Sequence, residues 1–203
     1  MSQNNSESSV DSSKRTWIIT SACAGVVGGL AAATPFVASF TPSEKAKAAG
    51  APVEVDISEL KPGEMKRAEW RGKPIWIMKR TPEQLATLAQ VENQLADPES
   101  LRKQASGDLM PSCRNQHRSI KPEIFVTVGI CTHLGCSPTD KFVPGPQPSL
   151  PDDWHGGFLC PCHGSTFDLA GRVYKNKPAP DNLEVPHHEY VSDTKIRIFD
   201  PNS

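Results

Sequence analysis

A chain of 203 residues with a formal net charge of −1 accommodates one ordinary domain and an appendage, and excludes two large domains. The near-neutral balance excludes the basic face with which a nucleic-acid binder meets phosphates. With 37% hydrophobic and 6% aromatic residues beside 19 prolines and 14 glycines, a loop-rich β domain is expected rather than a helical bundle.

Residues 1–15, MSQNNSESSVDSSKR, are polar and rich in Ser and Asn, and are expected to form a cytoplasmic tail with no order of its own. Glu7 and Asp11 do not suit an organellar transit peptide, which is poor in acids and rich in Arg. No charge occurs from Thr16 to Ser43. As a helix, Trp17 to Phe40 spans about 36 Å, enough to cross a hydrocarbon core of about 30 Å. A transmembrane anchor is therefore expected at 16–40, with Trp17 at an interface and Pro35 introducing a kink. Gly25, Gly28 and Gly29 suit close packing against another membrane helix, and Cys23 reads as one more small apolar residue. The competing reading is a cleaved secretory signal starting at Lys14 and Arg15, but its apolar core runs to only about 7–15 residues. Either reading exports the chain after residue 43. Lys14 and Arg15 favour a cytoplasmic N-terminus, although Lys45 and Lys47 on the other side soften the asymmetry. Residues 41–52, interrupted by Gly50 and Pro52, read as a flexible tether.

The head is expected at 53–203. PVEVDI alternates as a strand does, and MKRAEWRGKPIWIMKR reads as a hairpin turning at Arg71-Gly72-Lys73-Pro74. Thr81, Pro82 and Gln84 supply an N-cap, a first-turn proline and the returning side chain of a capping box. Leu85, Leu88, Val91 and Leu95 follow at helical spacing, and the helix should stop before Asp97-Pro98. EIFVTVGI (123–130) is an apolar strand leading to Cys131, and GGFLC leads to Cys160 in the same way. Five prolines in SPTDKFVPGPQPSLPDDWHGG predict a stiff irregular loop between them. STFDLAGRVY reads as a hairpin turning at Gly171, and EYVSDTKIRIF as one turning at Ser192-Asp193. The expected fold class is a single N-terminal transmembrane helix joined to a mainly antiparallel β head with one short helix.

The chemistry concentrates in two boxes, CTHLGC (131–136) and CPCHGS (160–165). Six candidate ligands converge where four would serve. Cys131, His133, Cys160 and His163 offer two thiolates and two imidazoles. Structural zinc accepts that set, and so does a [2Fe–2S] cluster with two Cys on one iron and two His on the other. The mixed Cys/His character of each box favours iron–sulfur over zinc, whose loops usually pair like with like. Cys136 and Cys162 are then left over, and an exported domain is free to bridge them. An all-Cys site with His133 and His163 as bystanders stays open at this point, but leaves two well-placed imidazoles without a role. His117, His155, His187 and His188 sit in polar or Pro-rich contexts and read as surface groups. Cys113 reads as a buried free thiol.

The two boxes, separated by 23 residues, together with HRSIKPEIFVTVGI before them and TFDLAGRVYKNKPAPDNLEVP after them, resemble the Rieske iron–sulfur proteins of cytochrome bc complexes. The anchor and tether are similar too, so the resemblance covers nearly the whole chain. It implies a Rieske-type fold with the cluster-binding part at about 123–180 and one [2Fe–2S] cluster. It further implies Cys131 and Cys160 on the inner iron, His133 and His163 on the outer iron, and a Cys136–Cys162 disulfide. His163 and Leu134 are then the quinol contacts, and Pro178, Ala179 and Pro180 the loop covering the cluster. Ser165 keeps the hydroxyl that tunes the cluster. At Phe167 the family often has a Tyr donor, so a lower potential is expected here. Lys177 stands where the family often has Gly, which leaves the turn of the covering loop open.

The resemblance implies an electron-transfer subunit of a quinol–cytochrome c reductase. Such a subunit takes an electron from ubiquinol, and a proton through a His ligand, and passes the electron to a c-type cytochrome. Neutral His ligands leave the oxidised centre uncharged where four thiolates would leave it doubly negative, which raises the potential to suit a quinol. Expected partners are cytochrome b, a c-type cytochrome and the membrane, in a dimeric complex, with the head on the periplasmic side of a bacterial inner membrane. The alternative is the Rieske subunit of a periplasmic oxidase such as arsenite oxidase. Rieske ferredoxins and oxygenase components generally lack the extra cysteine pair.

Overall fold

In a computed structural model of the protein, residues 11–41, 43 and 50–201 are described. The chain divides into two units, 1–47 and 48–203, five residues before the expected boundary. The expected tail falls mostly on 1–10, and the tether mostly on 44–49, both outside the described residues.

The first unit contains helix α1 (Ser12–Ala38). It starts four residues before the expected Thr16, because the Asp11 carboxylate accepts from the amides of Ser13 (3.1 Å) and Lys14 (3.4 Å). Local capping sets a helix start, whereas the uncharged run marks only the membrane-width part, so Lys14 and Arg15 lie inside the first turns. The helix continues through Pro35 to Ala38 and is closed by Ser39, whose amide donates to the Pro35 carbonyl. Its 27 residues bury none of their side chains within the unit, and it is long and apolar enough to cross a membrane.

Among the described residues, the head is built from three three-stranded antiparallel sheets. The first joins β1 (Val53–Asp56), β9 (Lys195–Ile198) and β8 (His188–Ser192), with β9 in the middle. The second orders β2 (Met65–Trp70), β3 (Lys73–Lys79) and β4 (Ile124–Val128). The third orders β5 (Thr139–Lys141), β6 (Gly157–Leu159) and β7 (Thr166–Phe167). Strand β3 is buried on both faces, and its period of two sorts its side chains between two cores. Ile75 and Ile77, with Val126 and Val128 of β4, face Val55, Ile196 and Ile198 of the first sheet. Trp76 and Met78, with Phe125, face a core that includes Phe158, Phe167, Cys131 and Cys160. The middle sheet is thus the wall on which the cysteine boxes are mounted.

Gly129 follows β4, and a Cβ there would meet the Trp76 indole at 2.2 Å. Gly129→Ala must displace a fully packed ring. It should cost about 1–3 kcal/mol of stability, read as a lower urea midpoint of the head with an unchanged slope.

Several boundaries differ from expectation for identifiable reasons. The β2–β3 hairpin turns on two residues, Arg71 (φ 53°) and Gly72 (φ 71°), and Lys73 and Pro74 already belong to β3. Positive φ at both turn positions is the geometry that matches strand twist in a two-residue hairpin. Helix α2 (Pro82–Gln90) has the full capping box: Gln84 N–H donates to Thr81 Oγ1, and Thr81 N–H donates to Gln84 Oε1. It ends well before Asp97, because Leu95 bridges Tyr174 and the Ala96 amide donates to the Val173 carbonyl. There Val91 and Leu95 pack with Trp154 and Tyr174. The loop between the boxes is not wholly irregular, since β5 lies within it. The β8–β9 turn falls one residue late, at Asp193-Thr194, after a bulge between Tyr190 and Ser192. His188, expected at the surface, is buried: it opens β8 opposite Ile198, and its Nδ1 pairs with the Pro186 carbonyl. Burial holds its pKa below the usual imidazole value. Cys113 is a buried free thiol.

Candidate metal centre

The two boxes fold into equivalent loops. Cys131 N–H donates to the Cys136 carbonyl (2.8 Å) and Gly135 N–H to the Cys131 carbonyl (3.1 Å). In the second box Cys160 N–H donates to the Ser165 carbonyl (2.8 Å) and Gly164 N–H to the Cys160 carbonyl (3.0 Å). Gly135 and Gly164 hold φ values of 82° and 74°, a left-handed conformation that only Gly adopts at little cost. On this equivalence Cys131 matches Cys160, and Cys136 matches Ser165. His133 occupies the position of Cys162, and Leu134 that of His163. The imidazoles therefore come from successive, not matching, positions of two similar turns.

The cysteines at the loop roots are enclosed, with Cys131 2% and Cys160 1% exposed. The tips are open: His133 is half-buried, His163 is exposed, and Leu134 is 72% exposed. The two imidazoles meet edge to face with ring centroids 4.7 Å apart. Cys136 and Cys162 are joined by a disulfide. The sulfurs of Cys136, Cys160 and Cys162 lie within 4.8 Å of one another. Two of those three are bonded to each other, so the group is a bridge seated against Cys160 and not a set of three ligands.

Ser165 is fully buried. Its Oγ accepts from the Ala179 amide at 3.0 Å, and its hydroxyl works against the rise in the Cys131 thiol pKa that burial causes. Ala179 is buried between the exposed Pro178 and Pro180, and Thr132 Oγ1 donates to the Asp181 carbonyl (2.6 Å). Phe167 is fully buried in the core with Trp76 and Phe158. The loop 178–181 is thereby fastened to both boxes.

Beneath the second box lies a group of charges that the sequence pattern does not announce. Arg172 forms a buried ion pair with Asp168 (2.7 Å), and the same carboxylate accepts from the amides of Ala170 and Arg172. Arg80 donates to the carbonyls of Leu169, His117 and Pro122, and Arg118 to those of Ala170 and Leu183. Burial lowers the Arg80 guanidinium to about 9 and that of Arg118 to about 10, with Asp168 opposing the shift in both. Three buried arginines thus clasp residues 168–170. The only local signal is the DLAGR pattern, with Asp168 and Arg172 four apart across a glycine turn.

A profile of the Rieske [2Fe-2S] domain matches residues 52–189. The chain belongs to the Rieske [2Fe–2S] family. Among relatives, this Rieske protein is 53% identical over 91% of its length to the ubiquinol-cytochrome c reductase iron-sulfur subunit of Allochromatium vinosum, covering 87% of that protein. It is 39% identical over 89% of its length to the protein of the same name in Bradyrhizobium diazoefficiens, covering 90% of it. In Blastochloris viridis the figures are 38% identity over 95%, covering 96%.

The donor set of this Rieske domain fits a [2Fe–2S] cluster. Burial pushes the Cys131 thiol up, the His133 amide opposes that, and the adjacent Cys160 thiol adds to it. A thiol so placed, in the same apolar core as Cys160, holds as a thiolate only with a cation to compensate it. His133 Nδ1 is enclosed with no hydrogen-bond partner among the described residues, a cost that ligation or protonated pairing would remove.

Proposed function

We propose that this Rieske protein is the electron-transfer subunit of a bacterial quinol–cytochrome c reductase, a cytochrome bc complex. The observation that carries the reading is 53% identity over nearly the full length to a subunit of that name, together with a donor set whose thiols are buried and whose imidazoles reach solvent. Cys131 and Cys160 would hold the inner iron, and His133 and His163 the outer. A [2Fe–2S] cluster held there supplies one-electron redox chemistry. The Cys136–Cys162 bridge locks the two ligand turns together, so neither spreads when its ligands are loaded. His163, exposed at the tip, offers its free ring nitrogen to a quinol hydroxyl and accepts the proton there. Leu134, exposed beside it, gives the quinol ring an apolar surface. Ser165 donates to a sulfur, and Phe167 packs without donating.

In this reading cytochrome b and a c-type cytochrome are the partner subunits of a dimeric complex, and ubiquinol is the donor. Helix α1 anchors the protein in the inner membrane with the head on the periplasmic side. The named relatives favour this role over that of a periplasmic oxidase subunit.

The test is electron paramagnetic resonance of membranes reduced with ascorbate, with and without a quinol-site inhibitor. A rhombic reduced-cluster signal whose line shape changes with inhibitor is expected; a colourless head, or zinc without acid-labile sulfide, overturns the reading. Leu134→Ala should leave that signal intact while raising the KM for quinol about tenfold, as the loss of one apolar contact predicts.

A further inference from the structure

The loop that covers the site is almost without backbone donors. Pro178 and Pro180 have no N–H, so the Ala179 amide is the one donor in that stretch, and Ser165 Oγ takes it. Just beyond it, packing leaves the segment open on one side. A cavity of about 440 Å³ borders Asp181 and Asn182 on one side and Cys131 and Thr132 on the other. Besides the Thr132 bond to the Asp181 carbonyl, the segment is held by side-chain bonds from residues 97–104, far away in sequence.

These bonds form one device. The buried Asp97 carboxylate accepts from the amides of Leu101 (2.9 Å) and Arg102 (3.2 Å), folding 97–102 into a knuckle. Ser100 completes it with a φ of 54°, a conformation that non-glycine residues adopt only when surroundings hold it there. The knuckle presents three groups to the covering segment. Arg102 Nη1 donates to the Pro180 carbonyl. The Asp97 carbonyl (2.9 Å) and Ser100 Oγ (3.0 Å) accept from the buried Asn182 side chain. Gln104 brackets Val185, accepting from its amide (2.6 Å) and donating to its carbonyl (3.3 Å). Asn182 Oδ1 in turn accepts from the Val173 amide.

We propose that residues 97–104 are a clasp that sets the height of the 178–181 loop over the site, with Arg102 and Asn182 as its positioning residues. Among the described residues neither hydrogen-bonds to a ligand residue, and both act through the Ala179 amide. While that amide occupies a lone pair of Ser165 Oγ, the Ser165 proton is left for a cluster sulfur. Releasing the loop frees the hydroxyl to rotate. A weaker donor to a cluster sulfur stabilises the reduced centre less, so the potential falls. This rests on the assignment of Cys131 as a cluster ligand.

The experiment uses the full-length, cluster-loaded protein. Hydrogen exchange of the peptide containing Ala179 is read together with the midpoint potential, in the wild type, Arg102→Ala, Arg102→Lys and the control Lys103→Ala. The Arg102–Pro180 bond has a charged donor. Arg102→Ala should therefore exchange Ala179 at least about tenfold faster and shift the potential downward. Arg102→Lys should recover part of both, and Lys103→Ala neither. Arg102 is 48% exposed, so the urea midpoint should hardly move; if Arg102→Ala does not fold, Arg102→Gln takes its place. Wild-type exchange in the variant overturns the clasp, and faster exchange with an unmoved potential overturns its action on the site. A wild type without a Rieske spectrum overturns the functional reading instead, which keeps the two failures apart.

Discussion

Asp168→Ala is expected to lower the unfolding free energy of the head by about 3–5 kcal/mol, the range for breaking a buried ion pair by removing one partner. Asp168 and Arg172 are 2% and 0% exposed. The carboxylate receives two backbone amides besides the guanidinium, and Arg80 and Arg118 also sense its charge. Its removal leaves three buried cations around one turn. The loss should be as large in Asp168→Asn, which keeps the shape but not the charge, whereas Asp140→Asn at the exposed Arg67 pair should change little. Equilibrium unfolding in urea at pH 7 measures all three; an Asp168→Asn variant within about 0.5 kcal/mol of wild type would show that the buried cations are compensated elsewhere.

Cys162→Ala is the second large effect. The bridge closes a loop with a sequence separation of 26, for which the chain-entropy account gives about 3.5 kcal/mol. The loss should fall mostly on the site, because the bridge ties the tip of one ligand turn to the root of the other and lies against Cys160. The variant head should still fold, retain the far-side core of Ile75, Ile77 and Val126, and load little or no cluster. Visible absorbance per protein after in vitro reconstitution measures loading, and circular dichroism reports the fold. Full loading with unchanged stability would refute the role given to the bridge. Mild reduction of the wild type should reproduce the variant.

What could be read from the sequence was what is local or chemically dense. The Thr81–Gln84 box is complete within four residues, so its hydrogen bonds were foreseeable. The cysteine and histidine boxes concentrate six ligating groups in two short turns, and the strands leading to them show their apolar character directly. Pattern alone misplaced the elements whose limits are set by distant partners. Leu95 continues the helical spacing but is drawn out of the helix to pair with Tyr174. His188 looks polar by composition, yet the register opposite Ile198 turns it inward. The arginines were unreadable for the same reason: Arg80 meets Leu169 across a separation of 89 residues, and no window along the chain contains both. The knuckle at Asp97 shows a local signature, an aspartate before a proline, but its purpose appears only when Asn182 and Pro180 arrive beside it.

The middle position of β9 in its sheet governs when this protein can be finished. Val53 pairs with Ile198, so the first strand of the head waits for a partner that the ribosome delivers only after the whole cofactor-binding part has been made. Until then the Ile75–Ile77 face of the wall lacks Ile196 and Ile198 as cover. Nascent heads are therefore sticky on the side away from the ligands, and assembly is governed by slow, long-range pairing. Chaperone demand and the timing of cofactor insertion should track the arrival of that last strand.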